Sequence, residues 1–104
     1  ERNIKLAEAR ELIDHALKLQ PGDPFILDSL GWVLYRQGDL MGALDYLEQA
    51  YAKRDGPEVA AHIGEVLWAL GRKEEAQRFL QTAHQKHPDN ESLTAATKKF
   101  VAEP

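Results

Sequence analysis

Asp28-Ser29-Leu30-Gly31-Trp32-Val33-Leu34-Tyr35 is answered 33 residues later by Ala61-His62-Ile63-Gly64-Glu65-Val66-Leu67-Trp68. The offset persists beyond the two stretches: Gly38 falls on Gly71, Ala43 on Ala76, Leu47 on Leu80 and Ala50 on Ala83. A fixed period of this length, filled with apolar residues three and four apart, marks stacked helical repeats, in which each unit buries its apolar face only against its neighbours.

Working outward from these stretches, the spacing predicts six helices and an all-α fold. The first spans about Ile4 to Leu19, with Leu6, Ala9, Ile13, Ala16 and Leu17 on one face. The second, Pro24 to Gln37, follows a stop at Pro21-Gly22, with Asp23 suited to cap and Pro24 to the first helical position. Gly38 can take positive φ and Asp39 can cap the third helix, Leu40 to Lys53. Asp55-Gly56-Pro57 repeats the stop-and-start chemistry before a fourth helix, Pro57 to Leu70, and a fifth, Lys73 to Lys86. After His87-Pro88-Asp89-Asn90 comes a sixth helix, polar outside (Thr94, Thr97, Lys98, Lys99, Glu103) and apolar at Leu93, Ala96, Phe100 and Val101. No strand-like alternation competes with these assignments.

Composition narrows the function classes. The 104 residues carry 13 basic and 17 acidic side chains, a net charge of -4, with no basic run long enough for a nucleic-acid patch. Without cysteine there are no disulfides or thiolate metal sites. No apolar stretch has the length of a membrane span. The chain begins at Glu1 rather than Met, the expectation for a segment of a longer protein.

These residues resemble the tetratricopeptide repeat (TPR), whose pattern of about 34 residues reads W-x2-L-G-x2-Y, A-x3-F, A and P. The first full unit, 24–56, supplies Leu27-x2-Leu30-Gly31-x2-Leu34, Ala43-x3-Leu47 and Ala50. The second, 57–90, supplies Ala60-x2-Ile63-Gly64-x2-Leu67, Ala76-x3-Leu80, Ala83 and Pro88. Residues 4–21 match only the second half of a unit, as Ala9-x3-Ile13, Ala16 and Pro21, and 91–104 read as a capping helix. The aromatic positions of the family hold Leu or Ile here, and the first full unit lacks its proline, closing its period one residue short. The resemblance implies a right-handed superhelix of antiparallel helix pairs, in which Gly31 and Gly64 allow close approach. The orphan first helix, with an exposed apolar side, invites self-association.

In the family, the first helices of successive units line a concave face that binds proteins or peptides. That face maps here onto Phe25, Asp28, Ser29, Trp32, Tyr35 and Arg36, and onto Glu58, Ala61, His62, Glu65, Trp68 and Ala69. Asp28, Trp32 and Tyr35 stand four and three apart, off the Leu27–Leu30–Leu34 stripe. Trp and Tyr are common anchors of interfaces, although Trp32, Tyr35 and Trp68 would equally serve as packing within the array. Asp28, Glu58 and Glu65 suit a basic or polar segment, or are simply a solvated face. The subtype that grips chaperone C-termini with Lys, Asn and Arg is not matched, since those positions carry Asp28, Trp32 and His62.

The expected function is thus a non-enzymatic interaction module within a larger scaffold or adaptor, with a purely structural or self-associating segment as the alternative. The wording of the two stretches is similar to large proteobacterial envelope TPR proteins, some of them outer-membrane lipoproteins. That implies the periplasmic side of the outer membrane, with the cytoplasm as the alternative. Candidate chemistry is thin. His84 and His87 stand three apart but lack a third ligand, His15 and His62 are isolated, and Glu74-Glu75 is an ordinary helix surface. No catalytic, cofactor or metal residue is expected, and there is no phosphate-binding glycine loop.

Overall fold

A computed structural model describes residues 2–20 and 22–101, the side chains of 2–6 and 9 excepted. The expected roles of Leu6, Ala9, Pro21 and Glu103 therefore lie outside the described residues. Among those described, the regular structure is six helices: α1 (Arg2–Leu19), α2 (Pro24–Arg36), α3 (Leu40–Lys53), α4 (Pro57–Ala69), α5 (Lys73–Lys86) and α6 (Glu91–Phe100). The fold is all-α. Both ends of α4 and α5 lie 33 residues beyond those of α2 and α3, while α6 starts 34 beyond α4, so the short period belongs to the unit without the proline.

The chain divides into two compact units, Glu1–Arg54 and Asp55–Pro104. In the first, α2 packs against α1 and α3; in the second, α4, α5 and α6 pack on one another. The cores are made of the periodic residues. Leu27, Leu30, Leu34, Ala43, Leu44, Leu47 and Ala50 are buried in the first unit. Ala60, Ile63, Val66, Leu67, Ala76, Leu80, Ala83, Leu93 and Phe100 are buried in the second.

Small residues set how closely the paired helices approach. A Cβ on Gly31 would lie 2.8 Å from Cγ of Leu47 and 3.2 Å from the carbonyl oxygen of Ala43. At Gly64 it would collide with Leu80. Each glycine therefore lets a fully buried leucine of the partner helix rest on bare backbone.

Helix ends explain where the expected boundaries shift. Gln37 and Leu70 are C-caps rather than helical residues. They precede Gly38 (φ 90°) and Gly71 (φ 85°), whose left-handed conformation closes each helix. The Asp39 and Gly38 amides donate to the Leu34 and Tyr35 carbonyls at 2.9 and 3.0 Å. Arg72 and Gly71 repeat the pattern on Leu67 and Trp68, both at 3.0 Å, so the same Schellman closure ends both first helices. α1 begins at Arg2, two residues earlier than expected, and α6 ends at Phe100.

The following helices start differently. Asp39 caps α3 by accepting from the Gly42 amide at 3.0 Å, and the missing side chain of Gly42 makes room for that carboxylate. The equivalent positions at the start of α5 carry Arg72 and Glu75, joined by two hydrogen bonds of 2.8 and 2.9 Å.

Candidate protein-binding faces

In α2, Asp23 accepts from the amides of Phe25 (2.9 Å) and Ile26 (3.3 Å), and Pro24 supplies a first residue with no amide to satisfy. This start fixes the helix so that Leu27, Leu30, Gly31 and Leu34 turn inward. By the 3.6-residue period, Phe25, Asp28, Trp32, Tyr35 and Arg36 fall on the remaining arc. Phe25 is 68% exposed and lies under the Arg54 guanidinium, 5.2 Å from the ring centre. Trp32 and Tyr35 are half-buried and stack, with centroids 4.8 Å apart and 24° between the planes. Asp28 is half-buried and Arg36 exposed.

The corresponding arc of α4 is differently furnished. Glu58 is exposed in the first turn and accepts a hydrogen bond from Asn90 Nδ2 at 3.0 Å. That bond, then one from a backbone N–H, holds its carboxyl below the ordinary glutamate range, with smaller help from the nearby His62 and His87. His62 and Glu65 are half-buried. Ala61, expected on the face, is only 7% exposed and belongs to the core. Trp68 is half-buried against Phe100 of α6, centroids 5.1 Å apart at 40°. Lys73 Nζ sits 5.1 Å from the centre of the Trp68 indole. Trp68 thus has a packing partner within its own unit, supplied by α6.

α1 bears a different surface. Ile13 and Ala16 are half-buried, whereas Leu47, Leu80 and Ala50 at the same repeat positions are fully buried. Leu12 and Leu19, seven residues apart, are 72% and 71% exposed.

The two neighbouring histidines do not converge. The His84 ring nitrogen lies 3.4 Å from the Thr94 hydroxyl, while His87 faces Asp55 at 3.9 Å beside the Lys86–Asp55 pair at 3.5 Å. Among the described residues no group of three or more His, Cys, Asp or Glu side chains could hold a metal. No helix there is long and apolar enough to cross a membrane.

Known proteins resemble this chain in sequence and in fold. The TPR repeat-containing protein PA4667 of Pseudomonas aeruginosa is 55% identical over 65 residues, covering 62% of this chain. The TPR repeat-containing protein MJ1428 of Methanocaldococcus jannaschii is 29% identical over 94 residues, covering 90%. The chain spans only 11% and 16% of the lengths of these relatives. Among solved structures, the thermophilic TPR protein TTC0263 of Thermus thermophilus superposes with a TM-score of 0.86 at 23% identity. It covers 94% of this chain and 50% of that one. The first TPR of Spaghetti (RPAP3), bound to the HSP90 peptide SRMEEVD, gives 0.82 at 19% identity, covering 97% and 81%. At these identities the structural likeness speaks for the fold alone. The sequence profile of the tetratricopeptide repeat matches residues 34–99, well over half of the chain, and the chain belongs to the tetratricopeptide repeat family.

Proposed function

We propose that this chain is a non-enzymatic module that binds a protein or peptide through the outward arcs of its first helices. These are Phe25, Asp28, Trp32, Tyr35 and Arg36 on α2, and Glu58, His62, Glu65 and Trp68 on α4. The observation that carries the reading is the aromatic furnishing of α2, whose other arc already completes the core. An exposed phenylalanine and a stacked Trp–Tyr pair offer large area with few rotors to lose on binding. Membership of a family that generally mediates protein–protein contact supports it, as does a neighbour of the same fold that holds a peptide. Because Asp28, Trp32 and His62 stand where the carboxylate-gripping subtype has Lys, Asn and Arg, an acidic C-terminal tail is a poor candidate. A place in a larger scaffold or adaptor at the bacterial envelope, as in the lipoproteins it resembles, is part of the same proposal.

The test is affinity capture from an envelope extract, comparing wild type with Trp32→Ala of verified helicity. A protein retained only by wild type supports the reading; equal retention by both removes the α2 arc from it. A second reading, a structural or self-associating segment, is favoured by α1. There the repeat-signature residues Ile13 and Ala16 lack the full cover that Leu47 and Ala50 have. Sedimentation equilibrium of wild type against Leu12→Glu/Leu19→Glu separates the two: a dimer lost in the variant supports self-association.

A further inference from the structure

Charge is unevenly distributed among the helices. α4 contains Glu58 and Glu65 and no lysine or arginine, and α2 contains Asp28 and one cation, Arg36, in its last turn. In α5 and α6 the cations Lys73, Arg78, Lys86, Lys98 and Lys99 outnumber the acids Glu74, Glu75 and Glu91. Glu58 and Glu65 are seven residues apart and so lie on one line of α4. The same line of α2 holds Phe25 and Trp32. Each unit also shows a cation on an aromatic ring of its first helix: the Arg54 guanidinium at 5.2 Å on Phe25, and the Lys73 ammonium at 5.1 Å on Trp68. The electron-rich ring face attracts positive charge, and the Phe25 and Trp68 rings already hold cations of this chain.

Resting on the reading that these arcs bind a protein segment, we infer that each arc selects a cationic one. Lysine or arginine side chains are taken by the Glu58–Glu65 line of α4 through charge, and by the Trp32–Tyr35 rings of α2 through cation–π contact. The hydrogen bond that Glu58 accepts from the neutral Asn90 amide leaves its charge in place. An acidic segment is repelled by the same carboxylates, so the effect is chiefly one of partner choice.

The test uses the full chain with its two tryptophans indole-labelled with 15N, so that Trp32 reports on the first unit and Trp68 on the second. The probes are a peptide of repeated Leu-Ser-Arg-Ser and twins carrying Gln or Glu in place of Arg. The Arg peptide is expected to shift the indole resonances and to bind at least about fivefold tighter than the Gln twin, with the Glu twin weakest. Glu58→Gln/Glu65→Gln should weaken the Arg peptide about two- to fivefold, and added salt should weaken it further. Binding of the Gln or Glu twin as tight as that of the Arg peptide, with indole shifts, overturns cation selection and leaves the docking reading standing. Absence of indole shifts with every peptide overturns both, as does Arg-peptide binding that neither Glu58→Gln/Glu65→Gln nor Trp32→Leu weakens.

Discussion

Leu80 of α5 rests on the bare backbone of Gly64 in α4, where even the Cδ1 carbon would lie only 2.8 Å from an added Cβ. Leu80 is fully buried, so it has no space into which to retreat. Gly64→Leu is therefore expected to cost about 1–3 kcal/mol by overpacking. Urea unfolding followed by circular dichroism checks this; an unchanged midpoint would show that the pair can separate freely.

Burial of the repeated leucine position yields a graded expectation. Leu80→Ala removes a fully buried side chain and should cost about 2–5 kcal/mol, including the cavity it leaves. Ile13→Ala, at the equivalent position in α1, should cost only a fraction of that, because Ile13 is half-buried. Equal losses would mean that α1 is covered as fully as α5.

The two tryptophans should part company. If Trp32 serves the binding face, Trp32→Ala should weaken partner binding with much less effect on helicity than Trp68→Ala. Trp68→Ala breaks a contact with Phe100 on another helix, and such pairs are worth about 0.5–1.5 kcal/mol beyond their buried area. Thermal melts of the two variants give the comparison, and a melt ordered the other way would reverse the roles.

Glu58 sets a pH dependence. Its carboxyl is lowered in the folded state, first by the Asn90 hydrogen bond. The stabilisation is therefore present above the ordinary glutamate value, and is lost as pH falls through the lowered value. Asn90→Ala should move the Glu58 titration back up, seen by carboxyl-resolved NMR, and should flatten the acid limb of the stability curve. An unmoved titration would leave the helix N-terminus, rather than Asn90, as the cause.

Much of the fold was legible because the repeat writes it twice. The stripe Leu27–Leu30–Leu34, the turn glycines Gly38 and Gly71, and the caps Asp23 and Asp39 each depend on neighbours within a few residues. Contacts between distant positions were not legible. Asn90 reaches Glu58 across 32 residues, and Gln77 Nε2 donates to the Phe100 carbonyl across 23. Trp68 against Phe100 depends on how α6 lies on α4, which spacing alone does not fix. The same holds for Ala61, which shares the outward arc on a helical wheel yet is covered. The Arg72–Glu75 pair is local, but it does not follow the usual capping residues, so no pattern announces it.

The most direct measurement places a photo-crosslinking benzoyl-phenylalanine at Phe25, exposed on α2, and in a parallel sample at Gln85, exposed on α5. Each is expressed in cells that make the protein. The account predicts a single heterologous partner crosslinked from position 25 and absent from position 85, and lost when Trp32→Ala is added. Crosslinking of that partner from position 85 alone, or of nothing but a second copy of the protein itself from position 25, would contradict it.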